Sequence, residues 1–221
     1  MIHDIDEALR RLVEAAGRQA KVTVVFDAPT KEWAARRNAP NIVDCYLYDI
    51  REDLRRRSRG LRNEYADDGV VRARLAPPRF VKLSYLVTVW AKDPSDEHRL
   101  LSDLLVNLIG LPAVPRDLLG GAVAATGLAV PMTVALPPPE DRAFADVWSA
   151  LGGELKPSLD VVISAPVAAE KPVPAERPAR DGVRVGLSDT RTGAADPPVG
   201  HHVERAGEGR PRVSMRRVRR V

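Results

Sequence analysis

Residues 26–57 read FDAPTKEWAARRNAPNIVDCYLYDIREDLRRR, and the alternation inside this stretch sets the fold class. Ile42 to Ile50 places Val43, Cys45 and Leu47 on one side of an extended chain and Ile42, Tyr46 and Tyr48 on the other. An apolar residue set on both sides marks an interior strand with both faces covered. Just upstream, Lys21 to Asp27 alternates with Val22, Val24 and Phe26 on one side, the pattern of a half-buried strand. Pro29 ends it, Thr30 can cap a short helix carrying Trp33, Arg36 and Arg37, and Pro40 interrupts that helix. Downstream the strand runs into arginines and a charged stretch reaching Pro78.

Working outward, Asp68-Gly69 is a turn signal that would tip a protruding hairpin. Arg79 to Ala91 follows as the strongest strand, rich in β-branched and aromatic residues, with Val81, Leu83, Tyr85, Val87 and Val89 alternating. A first helix is expected behind Asp4, with Glu7 completing a capping box, Ile5, Leu9, Leu12, Val13 and Ala16 on one face, and Gly17 as its stop. Ser95 is expected to cap another, with Leu100, Leu101, Leu104, Leu105, Leu108 and Ile109 as a broad apolar stripe. Pro115 to Thr126 suits a short helix and Val130 to Leu136 a strand. Phe144, Val147, Trp148 and Leu151 recur at helical spacing before Gly152-Gly153, and Ser158 to Ala165 is a last strand. About five strands with three principal helices and no internal repeat predict an α/β (α+β) fold: a mixed, largely antiparallel sheet flanked by helices.

A chain of 221 residues suits one medium domain with extensions. Beyond Pro166 the composition turns to Pro, Ala, Gly and charge, which buries too little apolar surface to offset the entropy of ordering. The boundary is therefore expected there, giving a globular domain over 1–165 and a Pro-rich linker with a basic C-terminal arm over 166–221. The net charge of +4 is unevenly spread. Residues 166–221 hold 12 Lys+Arg against 7 Asp+Glu, while residues 1–165 hold 22 against 23. The single cysteine, Cys45, excludes an internal disulfide framework, and the first residues lack the basic start and apolar run of a signal peptide. No apolar run approaches a membrane span. A cytoplasmic protein without membrane contact is expected, leaving the cell by assembly or lysis.

The residues offer little for catalysis. His3, His98, His201 and His202 have no metal-ligand spacing, and Cys45 lies on the apolar face of a strand, where a thiol packs as a small hydrophobe. Asp49, Glu52 and Asp53 are interspersed with Arg51, Arg55, Arg56, Arg57, Arg59 and Arg62, which suits ion pairs or an assembly contact better than acid-base chemistry. No nucleophile elbow, phosphate-binding loop or dinucleotide fingerprint occurs. The expectation is no enzyme, no metal and no cofactor. Trp33, flanked by Arg36 and Arg37 on a short helix with little other apolar material, combines the residue types that dominate interfaces. The end of the chain, from Arg210 to Val221, carries apolar residues among arginines, as a strand added to another protein's sheet edge would.

Three separated motifs carry a resemblance: Asp27-Ala-Pro-Thr-Lys-Glu-Trp33, Tyr46-Leu-Tyr-Asp-Ile-Arg-Glu-Asp53 and Trp148-Ser-Ala-Leu-Gly-Gly-Glu-Leu-Lys-Pro-Ser-Leu-Asp160. Over roughly residues 1 to 166 the chain resembles the N-terminal domain of cap, or tail-terminator, proteins of bacterial contractile injection systems, which are phage-tail-like particles. It departs from them at Asp44 and Cys45, where an Asn-Leu pair is usual. The resemblance implies a tail-terminator-like fold and a ring-shaped homo-oligomer, a hexamer, that seats on the distal end of the inner tube protein and binds the last turn of the sheath protein. Joined to the residue reading above, it makes Trp33, Arg36, Arg37, Arg51, Asp53, Arg55, Arg56 and Arg57 the candidate ring and tube interface, and Val213, Met215, Arg217, Val218 and Val221 the candidate sheath-binding arm. The alternative is a nucleic-acid-binding protein using the basic tail.

Overall fold

The computed structural model describes residues 1–36, 39–67, 69–137, 144–167 and 173–174. In chain order the elements are α1 (Ile2–Ala16), β1 (Thr23–Val25), α2 (Lys31–Arg36), β2 (Ile42–Glu52), β3 (Arg62–Tyr65), β4 (Val71–Leu75), β5 (Arg79–Trp90), α3 (Pro94–Ile109), α4 (Gly121–Ala125), β6 (Met132–Val134), α5 (Phe144–Ala150), β7 (Ser158–Val167) and β8 (Val173–Pro174). The main sheet has five strands in the order β1-β2-β5-β7-β6, and β3-β4-β8 form a small second sheet. Only β1 and β2 run parallel within the main sheet; the other neighbours are antiparallel, as the sequence predicts.

Two registers fix the sheet. β2 lies on β5 from Ile42 opposite Trp90 to Glu52 opposite Val81, and β5 lies on β7 from Arg79 opposite Val167 to Thr88 opposite Ser158. One face carries Val43, Cys45, Leu83, Tyr85, Val87, Val89, Val161 and Ile163 into a continuous core with Ile5, Leu9 and Val13 of α1 and Leu100, Leu104 and Leu108 of α3. Each of those leucines is almost wholly buried, worth about 2 kcal/mol apiece relative to exposure. The apolar stripe of α3 is narrower than its sequence suggests, because Ile109 is 61% exposed. Hydrogen bonding from Tyr85 Oη to Asp6 Oδ1 at 2.7 Å ties the sheet to α1.

The opposite face is also buried, and beside the apolar Ile42 and Leu86 it carries a set of polar residues. Asp44, Ser84, Thr88, Asp160 and Ser164 all point there by the strand alternation. α2 closes part of it through Trp33, whose ring meets Trp90 edge-on at 5.4 Å. α5 adds Trp148, buried against Gly153, where a Cβ would sit 3.0 Å from the indole.

Several local expectations need correction. α1 begins at Ile2, so Asp4 lies inside its first turn and is no capping-box residue; its carboxylate instead accepts the Ala122 amide at the start of α4, 3.0 Å away. α3 is capped by Asp93, not Ser95, with Pro94 in the first turn and the Asp93 carboxylate accepting the Asp96 amide at 3.1 Å. A proline one residue after an acid is the better start signal, since it needs no amide partner. Thr30 does cap α2, accepting from the Trp33 amide at 3.2 Å. Lys21 has left-handed backbone (φ 48°), and β1 begins only at Thr23; β6 is likewise shorter than Val130 to Leu136. β7 runs to Val167, and Val173–Pro174 pair onto β4.

Candidate assembly surface

The register of β2 slips between Leu47 and Asp49, a bulge at Tyr48. A bulge shifts the alternation by one residue. Without it Asp53 would face the apolar core; with it Asp53 joins Ser164 and Lys82 on the polar face. The Tyr48 hydroxyl donates to Asp160 Oδ1 on that same face, 2.9 Å away.

Asp53 then organises the arginine segment. Its amide donates to the Phe80 carbonyl at 2.8 Å, and its Oδ2 accepts from the Ser164 hydroxyl at 2.8 Å and lies 3.5 Å from Arg56 Nε. Lys82 Nζ is 3.9 Å from the other oxygen, too far for a hydrogen bond. At 4% exposure Asp53 is an internal anchor and not the surface contact expected of it. The reason is the bulge, which the composition of the segment does not reveal. The 3-10 turn Leu54–Arg56 follows, and the Arg56 guanidinium packs over the Phe80 ring at 5.6 Å. Glu52 is shared by Arg79 at 2.6 Å and Arg57 at 3.5 Å, and Arg51 Nε donates to Asp49 Oδ1 at 3.1 Å. Arg51, Arg55, Arg56 and Arg57 are exposed as a row leading into the β3–β4 hairpin.

Trp33 lies elsewhere, on α2, half-buried, with Nε1 donating to Asp27 Oδ2 at 2.9 Å. The apolar partner its helix lacks comes from Trp90, which Lys156 also covers at 4.6 Å while its ammonium pairs with Glu97. Arg36 Nε donates to the Glu32 carbonyl. Arg37 and the arm residues Val213, Met215, Arg217, Val218 and Val221 lie outside the described residues. Trp33 and the arginine row are thus anchored separately, Trp33 on the Trp90 end of β5 and the row at its Arg79 end.

Nothing here assembles catalytic chemistry among the described residues. No group of three His, Cys, Asp or Glu side chains is placed to hold a metal ion. Burial pushes the Cys45 thiol far up, so no thiolate nucleophile is available. Burial, then its hydrogen bond to Asp6, raises Tyr85 as well. Asp44, noted in the sequence only as a departure from the resembled family, carries a burial that its position did not reveal. It is 0% exposed and neither oxygen makes a well-formed hydrogen bond; burial followed by the negative charge of Asp27 pushes its pKa up to about 8, against a smaller downward pull from the Asp27 amide.

With that sheet and surface in view, the Pvc16 N-terminal domain model matches residues 4–181. The chain belongs to the Pvc16 N-terminal domain family. Among solved structures this Pvc16-family protein is similar to the sheath/tube terminator, in its extended state, of the extracellular contractile injection system PVC, with TM-score 0.61 and 21% identity over 86% of this chain and 66% of that one. It is similar also to the tube-terminating cap of the anti-feeding prophage, with TM-score 0.54 and 22% identity over 80% of this chain and 60% of that one. The chain therefore spans just under two thirds of these neighbours' length, and at such identity the likeness shows a shared fold. No curated protein matches.

Proposed function

We propose that this Pvc16-family protein caps a contractile injection particle: a ring of identical subunits seats on the distal end of the inner tube, stops its growth, and holds the last sheath ring. The observation that carries this reading is the match of its sheet and helices to terminators of two such particles, joined to family membership over most of the chain. A closed ring leaves no edge for another layer to add. Its working parts are surfaces: α2 with Trp33, and the arginine row from Arg51 to Arg57. The basic arm beyond the domain reaches the sheath and adds a strand to it, fixing the sheath to the tube so that contraction has something to pull against.

Deleting the gene and measuring tube and sheath lengths by electron microscopy tests the reading. Overlong or unsheathed tubes of scattered length are expected; particles of normal uniform length would remove it.

A further inference from the structure

The segment 54–75, which contains the β3–β4 hairpin, holds seven arginines against Glu64, Asp67 and Asp68, a net +4. Arg55, Arg59, Arg62 and Arg74 are exposed and make no ion pair among the described residues. Between them stand exposed apolar side chains, Leu54 at 66%, Leu61 at 53% and Tyr65 at 63%. Arginine and tyrosine on an open apolar patch are what a docking surface presents.

Its complement is on the same molecule. α1 and α3 together carry seven acids against three arginines, a net −4. On α3, Asp103, Val106 and Ile109 follow one another at a spacing of three, which lines them along one stripe, and Val106 and Ile109 are 71% and 61% exposed. Glu14 on α1 and Asp103 are exposed and, among the described residues, make no ion pair. Among the described residues no ion pair joins the hairpin to α1 or α3, so neither patch neutralises the other within the copy.

We infer that the hairpin of one copy docks on the α1–α3 face of the next, arginines on Glu14 and Asp103 and Leu61 and Tyr65 on Val106 and Ile109. The contact is heterologous, so repeating it closes a ring when the rotation between copies closes, as the ring reading requires. The chain's own C-terminal arm is excluded as occupant of the hairpin because it is itself basic, with 12 Lys+Arg against 7 Asp+Glu beyond residue 165, whereas the acidic α1–α3 face of a second copy matches the hairpin. This inference rests on the ring reading above and names its contact.

Two charge-reversed full-length chains test it, one with Arg55→Glu, Arg59→Glu, Arg62→Glu and Arg74→Glu, the other with Glu14→Lys and Asp103→Lys. Self-association is read by light scattering across concentration and salt, alongside far-UV circular dichroism. Wild type is expected to assemble more weakly as salt rises, and each variant to need at least tenfold more protein. An equimolar mixture should recover assembly, since a reversed hairpin then meets a reversed face; recovery also shows that both variants fold. Three results overturn the proposal: variants that assemble like wild type, a mixture that stays dissociated, or a wild-type chain that is monomeric at every concentration. A hairpin variant that assembles normally but loses binding to random duplex DNA would instead make the patch a nucleic-acid surface. Of these only a wild-type chain that stays monomeric bears on the ring reading as well; the terminator role is decided by the tube-length measurement on its own.

Discussion

An aspartate in the middle of a doubly covered strand loses its water, and Asp44 gains no well-formed hydrogen bond in exchange, only a weak pull from the Asp27 amide. Its folded pKa of about 8 lies above the ordinary value near 4, so the unfolded chain gives up this proton first as pH rises. Below pH 4 both states are protonated and Asp44 costs no linkage energy. From pH 4 to 8 stability falls steadily, and above 8 the loss is complete, on the order of a few kcal/mol. Asp44→Asn, a neutral side chain of the same shape, removes that slope. Thermal melts from pH 4 to 9 are expected to show nearly equal Tm for the two proteins at pH 4 and a variant several degrees higher at pH 8. Parallel curves would mean that Asp44 is solvated or paired in solution. Strand alternation shows which side Asp44 is on. It does not show that this side is buried, because the cover comes from outside the strand, from α2 just upstream and α5 far downstream.

At the scale of elements, the strands were legible wherever period-two alternation ran for several residues, as in β2, β5 and β7, and α1 and α3 were legible from their leucines. The starts of α1 and α3 were not, since Asp4 and Ser95 have the right chemistry one turn or less from the residues that begin the helix, whereas Thr30 does cap α2. The β2 bulge was invisible because a register slip has no composition, and it alone turned Asp53 from a surface acid into an internal one. α2 shows the opposite case. Its Trp33 reads as an exposed anchor, yet the helix holds its place by the edge-on contact with Trp90 and the Asp27 hydrogen bond. Trp33→Ala therefore removes packing as well as any surface contact, and is expected to lower stability by roughly 2 kcal/mol. Trp148→Ala, at a site 2% exposed, should cost about 3–5 kcal/mol. Urea denaturation of both checks the order; a Trp33 variant as stable as wild type would make that ring a surface group only.

For the whole molecule, the division between body and arm decides how force would pass from sheath to tube. β7 ends at Val167 and Val173–Pro174 lie antiparallel on β4, so the chain leaves the domain from the edge of the basic hairpin. Truncation at Pro166 would remove the last residues of a core strand along with the arm, and lost function would then have two causes. Ending the chain after Pro174 keeps every described strand and removes 175–221. The urea midpoint of that protein is expected to match wild type, because no described core residue is lost, and its ring should still form. If the arm holds the sheath, particles carrying the truncated cap should keep tubes of normal length yet shed sheath on contraction or shear, counted as bare tubes by electron microscopy. Normal sheath retention would move the anchoring role from the arm to the body, where the exposed row from Arg51 to Arg57 beside the hairpin is the surface left to provide it.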